Sequence, residues 1–126
     1  MMVSTKFIRS EVAKYLNIHI NYIDSMRRDS DAVYARKLIL YFISLSQKKV
    51  NYSKVGKISG FEYSYSTVKH HIADLLELKR LYKSIRYDMN YLNNLIFNPD
   101  ITDELYAEIS KAPNSEKILN LLKKII

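Results

Sequence analysis

Cysteine is absent from the chain, which excludes disulfides, thiolate metal sites and a cysteine nucleophile and suits a reducing compartment. Tryptophan is absent too, and glycine and proline number two each. The tight turns that fill sandwiches and barrels are therefore scarce, and no β-strand is expected. No long hydrophobic run occurs: the longest, Leu38 to Leu45, is broken by Ser44 and is far too short to span a bilayer. Met1 to Lys6 carry no apolar signal core. The expectation is a soluble protein of the bacterial cytoplasm, chromosomal or encoded by a phage or mobile element, with no membrane partner.

What the chain does have is apolar content of 48 % over 126 residues, enough for one core, and a marked excess of positive charge. Lys and Arg number 20 against 13 Asp and Glu, a formal charge of +7. The excess is uneven, since residues 1–86 hold sixteen basic and seven acidic side chains and residues 87–126 hold four and six. Cationic surface on the first two-thirds fits a polyanionic partner, because neutralising phosphates releases condensed counterions.

The hydrophobic spacing is helical throughout, predicting an all-α bundle. Ser4 is placed to cap a first helix with Phe7, Ile8, Val12, Tyr15 and Leu16 on one side, and Asn17 ends it. Ile20, Ile23 and Met26 describe a short second helix. After the charged break Arg27-Arg28-Asp29-Ser30-Asp31, a long helix capped by Ser30 or Asp31 carries Val33, Ala35, Leu38, Ile39, Phe42 and Leu45 as the spine of the core. A short helix from about Tyr52 to Ser59, with Val55 and Ile58 inward, stops at Gly60. Phe61 to Ser64 form a turn. Ser64 or Ser66 then caps a long helix whose buried stripe is Val68, Ile72, Leu75, Leu76 and Leu81. Another helix covers Ile85 to Phe97, with Met89, Leu92, Leu95 and Ile96 inward. These elements make one helical domain over 1–97, with the short helix, turn and long helix at about 52–81 laid out as a helix-turn-helix. Residues 98–126 form a C-terminal helical extension with Leu105, Ile109, Ile118, Leu121, Leu122, Ile125 and Ile126 as its apolar positions. Its expected role is packing in cis, with homodimerisation as the second option.

The candidate DNA-reading surface is the start of the long helix. Within Ser64-Tyr65-Ser66-Thr67-Val68-Lys69-His70, positions 65, 66, 69 and 70 lie away from the Val68–Ile72–Leu75 stripe. Hydroxyls at these positions can hold phosphates or base edges, Lys69 can neutralise a phosphate, and His70 can donate to either. Lys54 and Lys57 on the preceding short helix are placed to touch the backbone. Arg27 and Arg28, in the loop before the core helix, form a pair of the kind that enters a narrow minor groove, and Arg36 and Lys37 add charge on that helix's first turns. Tyr63 and Tyr65 are the tyrosines best placed to meet DNA.

This pattern resembles the carboxy-terminal DNA-binding domain of the bacterial replication initiator DnaA, from about Val12 to about Leu76. Val12 to Ile18 is similar to the family's opening helix, Arg27-Arg28 falls at its basic loop, and Ala35-Arg36-Lys37 resembles the start of its central helix. Val55-Gly56 and Ser66-Thr67-Val68-Lys69-His70 are similar to its Ile-Gly and Thr-Thr-Val-x-His signatures. The resemblance implies a helix-turn-helix bundle of that type, with Arg27 and Arg28 in the minor groove and Ser66, Thr67 and His70 in or beside the major groove. Where the family has a base-reading Asp-His, this chain has Ser64 and Tyr65. Ser30 or Asp31 replaces a basic residue of its loop, and the turn regions are longer. The family's usual origin box is therefore not the expected target. No phosphate-binding loop precedes the DnaA-like region, so an origin-melting motor is not expected.

Catalysis and cofactors are not expected. His70 and His71 are adjacent and point about a third of a turn apart on a helix, so they cannot chelate one metal as an i, i+4 pair does. His19 is isolated. Asp100, Asp103, Glu104 and Glu108 cluster where carboxylates meet a helix dipole. The expected function is double-stranded DNA binding in replication initiation or its control. The alternatives are a transcriptional regulator and a helical protein-interaction module without DNA binding.

Overall fold

The computed structural model describes residues 3–98. They form six α-helices and no strand: α1 (Thr5–Leu16), α2 (Ile20–Asp24), α3 (Ser30–Ser46), α4 (Tyr52–Ile58), α5 (Tyr65–Leu81) and α6 (Lys83–Phe97). None of the described helices is long and apolar enough to cross a membrane. The expected extension, with Leu105, Ile109, Ile118, Leu121, Leu122, Ile125, Ile126 and the homodimer assigned to it, lies outside the described residues.

Caps decide most boundaries. The Ser4 hydroxyl accepts from the Phe7 N–H, and Asn17 closes α1 in the left-handed conformation, φ 56°. Asn51 caps α4 by accepting from the Lys54 N–H, and Ser64 caps α5 by accepting from the Thr67 N–H. The N-cap of α3 is Asp29, one residue earlier than expected, by backbone conformation alone. Its carboxylate instead accepts from the Tyr22 hydroxyl at 2.5 Å. Met26 does not extend α2. The helix ends at Asp24, and Met26 takes φ 61° and is exposed. A single extended residue, Tyr82, separates α5 from α6, which begins two residues before the expected Ile85.

α3 is the central helix and packs against α1, α2, α4 and α5, while α6 closes the bundle against α1 and α5. The core holds Ile8, Val12, Ile23, Leu38, Ile39, Phe42, Ile43, Val55, Val68, Ile72, Leu75, Met89, Leu92 and Ile96. Five residues expected inside are exposed: Phe7, Leu45, Ile58, Leu76 and Leu81. Four of them lie near a helix end, where the neighbouring helix no longer covers the stripe, and Leu76 sits beside rather than on the Val68–Ile72–Leu75 line.

Two polar clusters lock the bundle. Asp88 of α6 accepts from the hydroxyls of Tyr15 (2.5 Å) and Tyr34 (2.8 Å), joining α1, α3 and α6. Burial, then the Asp88 carboxylate, pushes the Tyr34 hydroxyl far above its ordinary pKa, so it stays a donor. Tyr91 stacks on Tyr15 at 5.1 Å. In the second cluster, Arg9 reaches out of α1. Its guanidinium donates to the Ser59 carbonyl at 2.5 Å, pairs with both Asp24 oxygens, and lies 5.4 Å over the Phe61 ring. One side chain thus ties together the ends of α2 and α4.

Candidate nucleic-acid interface

The candidate surface is built on the approach of α4 to the turn ahead of α5. Gly56 lies buried in α4, and a Cβ there would collide with the Tyr63 carbonyl oxygen and fall 3.2 Å from the Val68 side chain. Only a residue without a side chain lets the turn press this close. Gly60, at φ 89°, then reverses the chain at the end of α4 in a conformation that L side chains rarely adopt. Phe61 is buried under Arg9, and Glu62 takes φ 55°. Ser64, already extended, starts α5.

From this base the first two turns of α5 divide into two faces. Val68, Ile72 and Leu75 are buried, and Thr67 is half-buried with its hydroxyl 3.0 Å from that of Ser64. Tyr65, Ser66, Lys69 and His70 are exposed. Ser64 is exposed as well, but its hydroxyl is engaged in the cap. Lys54 and Lys57 of α4 are exposed beside them, and none of the ion pairs among the described residues involves Lys54, Lys57 or Lys69.

The expected roles of Arg36 and Lys37 are overturned. Arg36 is only 3 % exposed, and its guanidinium donates to the Ile23 carbonyl at 2.9 Å and to the Arg27 carbonyl. It cannot face a nucleic acid. It holds the basic loop from behind. Its position shares the helical repeat of Ala32, Ile39, Leu40 and Ile43, so the spacing already put it on the buried side. Lys37 is spent on Asp74 of α5 at 2.6 Å, with its side chain mostly covered, and it holds the Asp74 carboxyl below the usual range. Tyr63 is likewise turned inward. Its ring is 5.6 Å from Phe61 and 5.2 Å from His71.

Arg27 and Arg28 are exposed. The Arg27 guanidinium lies 5.3 Å over the Tyr22 ring, and neither arginine joins an ion pair among the described residues. The loop and α5 have a common support in the start of α3. Arg36 fixes the Arg27 carbonyl, and the charges of Lys37 and Arg36 bear on His71 in the second turn of α5. His71 is half-buried with Nδ1 unpartnered, and burial first, then Lys37, holds its pKa below the ordinary value.

Two positioning residues have no counterpart in the sequence-based reading. Arg9 is one of three cations on an amphipathic helix, and only the fold brings Asp24 and Ser59 to it. Asp88 gains its role from tyrosines more than fifty residues away. Among the described residues no group of three His, Asp or Glu side chains could hold a metal ion.

Comparison of the chain with protein-family models, with curated proteins and with solved structures finds no match.

Proposed function

We propose that the chain binds double-stranded DNA sequence-specifically, using α4, the turn and α5 as a helix-turn-helix of the DnaA type, in replication initiation or its control in a bacterial cytoplasm. The observation that carries this reading is the division of α5. Its aliphatic side is anchored in the core, and Ser66, Lys69 and His70 stand exposed on its first two turns. Major-groove recognition requires such a helix start, polar and exposed, on a rigid mount. The mount here is the Gly56–Tyr63 approach and the Arg9 clamp.

Supporting features are the exposed Lys54 and Lys57 alongside and the exposed Arg27–Arg28 loop held by Arg36. In this reading the lysines meet phosphates, and Arg27 and Arg28 enter or border the minor groove. The test is selection of bound duplexes from a random pool, followed by titration of the Lys69→Ala, His70→Ala double variant. Specific affinity falls at least tenfold while nonspecific affinity falls about two- to threefold. Equal loss on both DNAs contradicts base reading by this helix, and no loss on either places the binding surface elsewhere.

A further inference from the structure

Tyr65 is the first residue of α5, and 52 % of its surface is open to solvent. A large aromatic ring gains nothing from helix propensity at that position. Among the described residues its ring neighbour is Tyr52, the first residue of α4, at 5.7 Å between centroids and 56° between planes. Tyr52 is half-buried, so it braces the outer ring from the protein side. Concave surface flanks Tyr65 on both sides, one side carrying Lys57 and Ser64 and the other Lys49, Lys54 and the exposed Val50. An aromatic ring therefore stands outward among cations, on the helix start proposed to enter the major groove. The one methyl group that base edges present in that groove is the C5-methyl of thymine, the usual target of apolar side-chain contact there.

We infer that Tyr65, braced by Tyr52, is a specificity-determining residue that packs against the C5-methyl of a thymine in the bound site. The inference rests on the reading of α5 as the recognition helix and names what one of its residues reads. The lysines around the ring hold the flanking phosphates, which positions the tyrosine without contributing sequence information.

The test uses the full chain and a duplex recovered by selection from a random pool, with each thymine replaced in turn by deoxyuridine. This removes only the methyl group. The wild-type protein loses about fourfold in affinity at one or two positions, the worth of a buried methyl. Tyr65→Phe keeps that discrimination, and Tyr65→Ala binds thymine and uracil duplexes alike. Helical circular dichroism of both variants matches the wild type, because the side chain lies outside the core. Indifference of the wild type at every position overturns the inference while leaving DNA binding by α5 intact, and so does undiminished discrimination by Tyr65→Ala. Preference of the wild type for the unpaired strand, lost in Tyr65→Ala, overturns it in favour of base stacking. Failure to bind any duplex overturns the underlying reading as well.

Discussion

An alanine at position 56 would drive its Cβ into the Tyr63 carbonyl. Mid-helix, Gly to Ala ordinarily stabilises by about 1 kcal/mol through propensity. Here the sign reverses, because backbone on the other side cannot give way as a flexible side chain would. Gly56→Ala is expected to destabilise by about 1–3 kcal/mol in urea titration, and it lowers DNA affinity because the turn sets the start of α5. A stabilised variant would show that the two segments are not pressed together. Arg36 presents a comparable case. Arg36→Met keeps the stem and removes the fork, leaving the Ile23 and Arg27 carbonyls unpaired. The expected cost is about 1–3 kcal/mol, with weaker DNA binding although the side chain touches no DNA. Unchanged binding with that loss of stability would disconnect the loop from the interface. His71 supplies a pH dependence. Its imidazole is harder to protonate folded than unfolded, owing to burial and the nearby Lys37. The unfolded chain therefore takes up more protons as pH falls below the ordinary value of 6.5, and stability drops over that window and not above it. His71→Gln flattens the slope between about pH 6.5 and pH 5, and an identical slope in wild type and variant would assign it to other groups.

At the scale of elements, α6 is tied to the bundle by Asp88 as well as by Met89, Leu92 and Ile96. Asp88→Ala removes the acceptor shared by the Tyr15 and Tyr34 hydroxyls, with an expected cost of about 2 kcal/mol. Hydrogen exchange in α6 is expected to rise more than in α3. A uniform rise would make α6 part of the same cooperative unit rather than a separately attached helix. The helices themselves were legible in the sequence, since hydrophobic repeats of 3.6, the Ser4 and Ser64 caps and the Gly60 stop are local signals. The turn and the polar face of α5 were legible for the same reason. Less visible was which charges are consumed internally. Lys37 read as a surface cation because its partner, Asp74, comes from another element, whereas the spacing put Arg36 on the buried side and only its charge spoke for the surface. The stripe of buried residues also ran too far, to Leu45, Ile58 and Leu81, because a repeat in sequence does not record where a neighbouring helix ends.

At the scale of the molecule, the described bundle presents Arg27, Arg28, Lys48, Lys49, Lys54, Lys57 and Lys69 as exposed cations. The start of α3 underlies both the basic loop and the second turn of α5. A surface of this composition meets a polyanion by displacing its counterions, and that displacement has a quantitative signature. The central claim is most directly tested by fluorescence anisotropy of the full chain on a random-sequence duplex at about 50 mM and about 200 mM salt. Neutralisation of about five phosphates predicts an affinity lower by two to three orders of magnitude at the higher salt. Combining Arg27→Ala with Lys69→Ala lowers the slope by about two. Affinity that is weak at both salts, or strong and indifferent to salt, would contradict DNA binding by this surface.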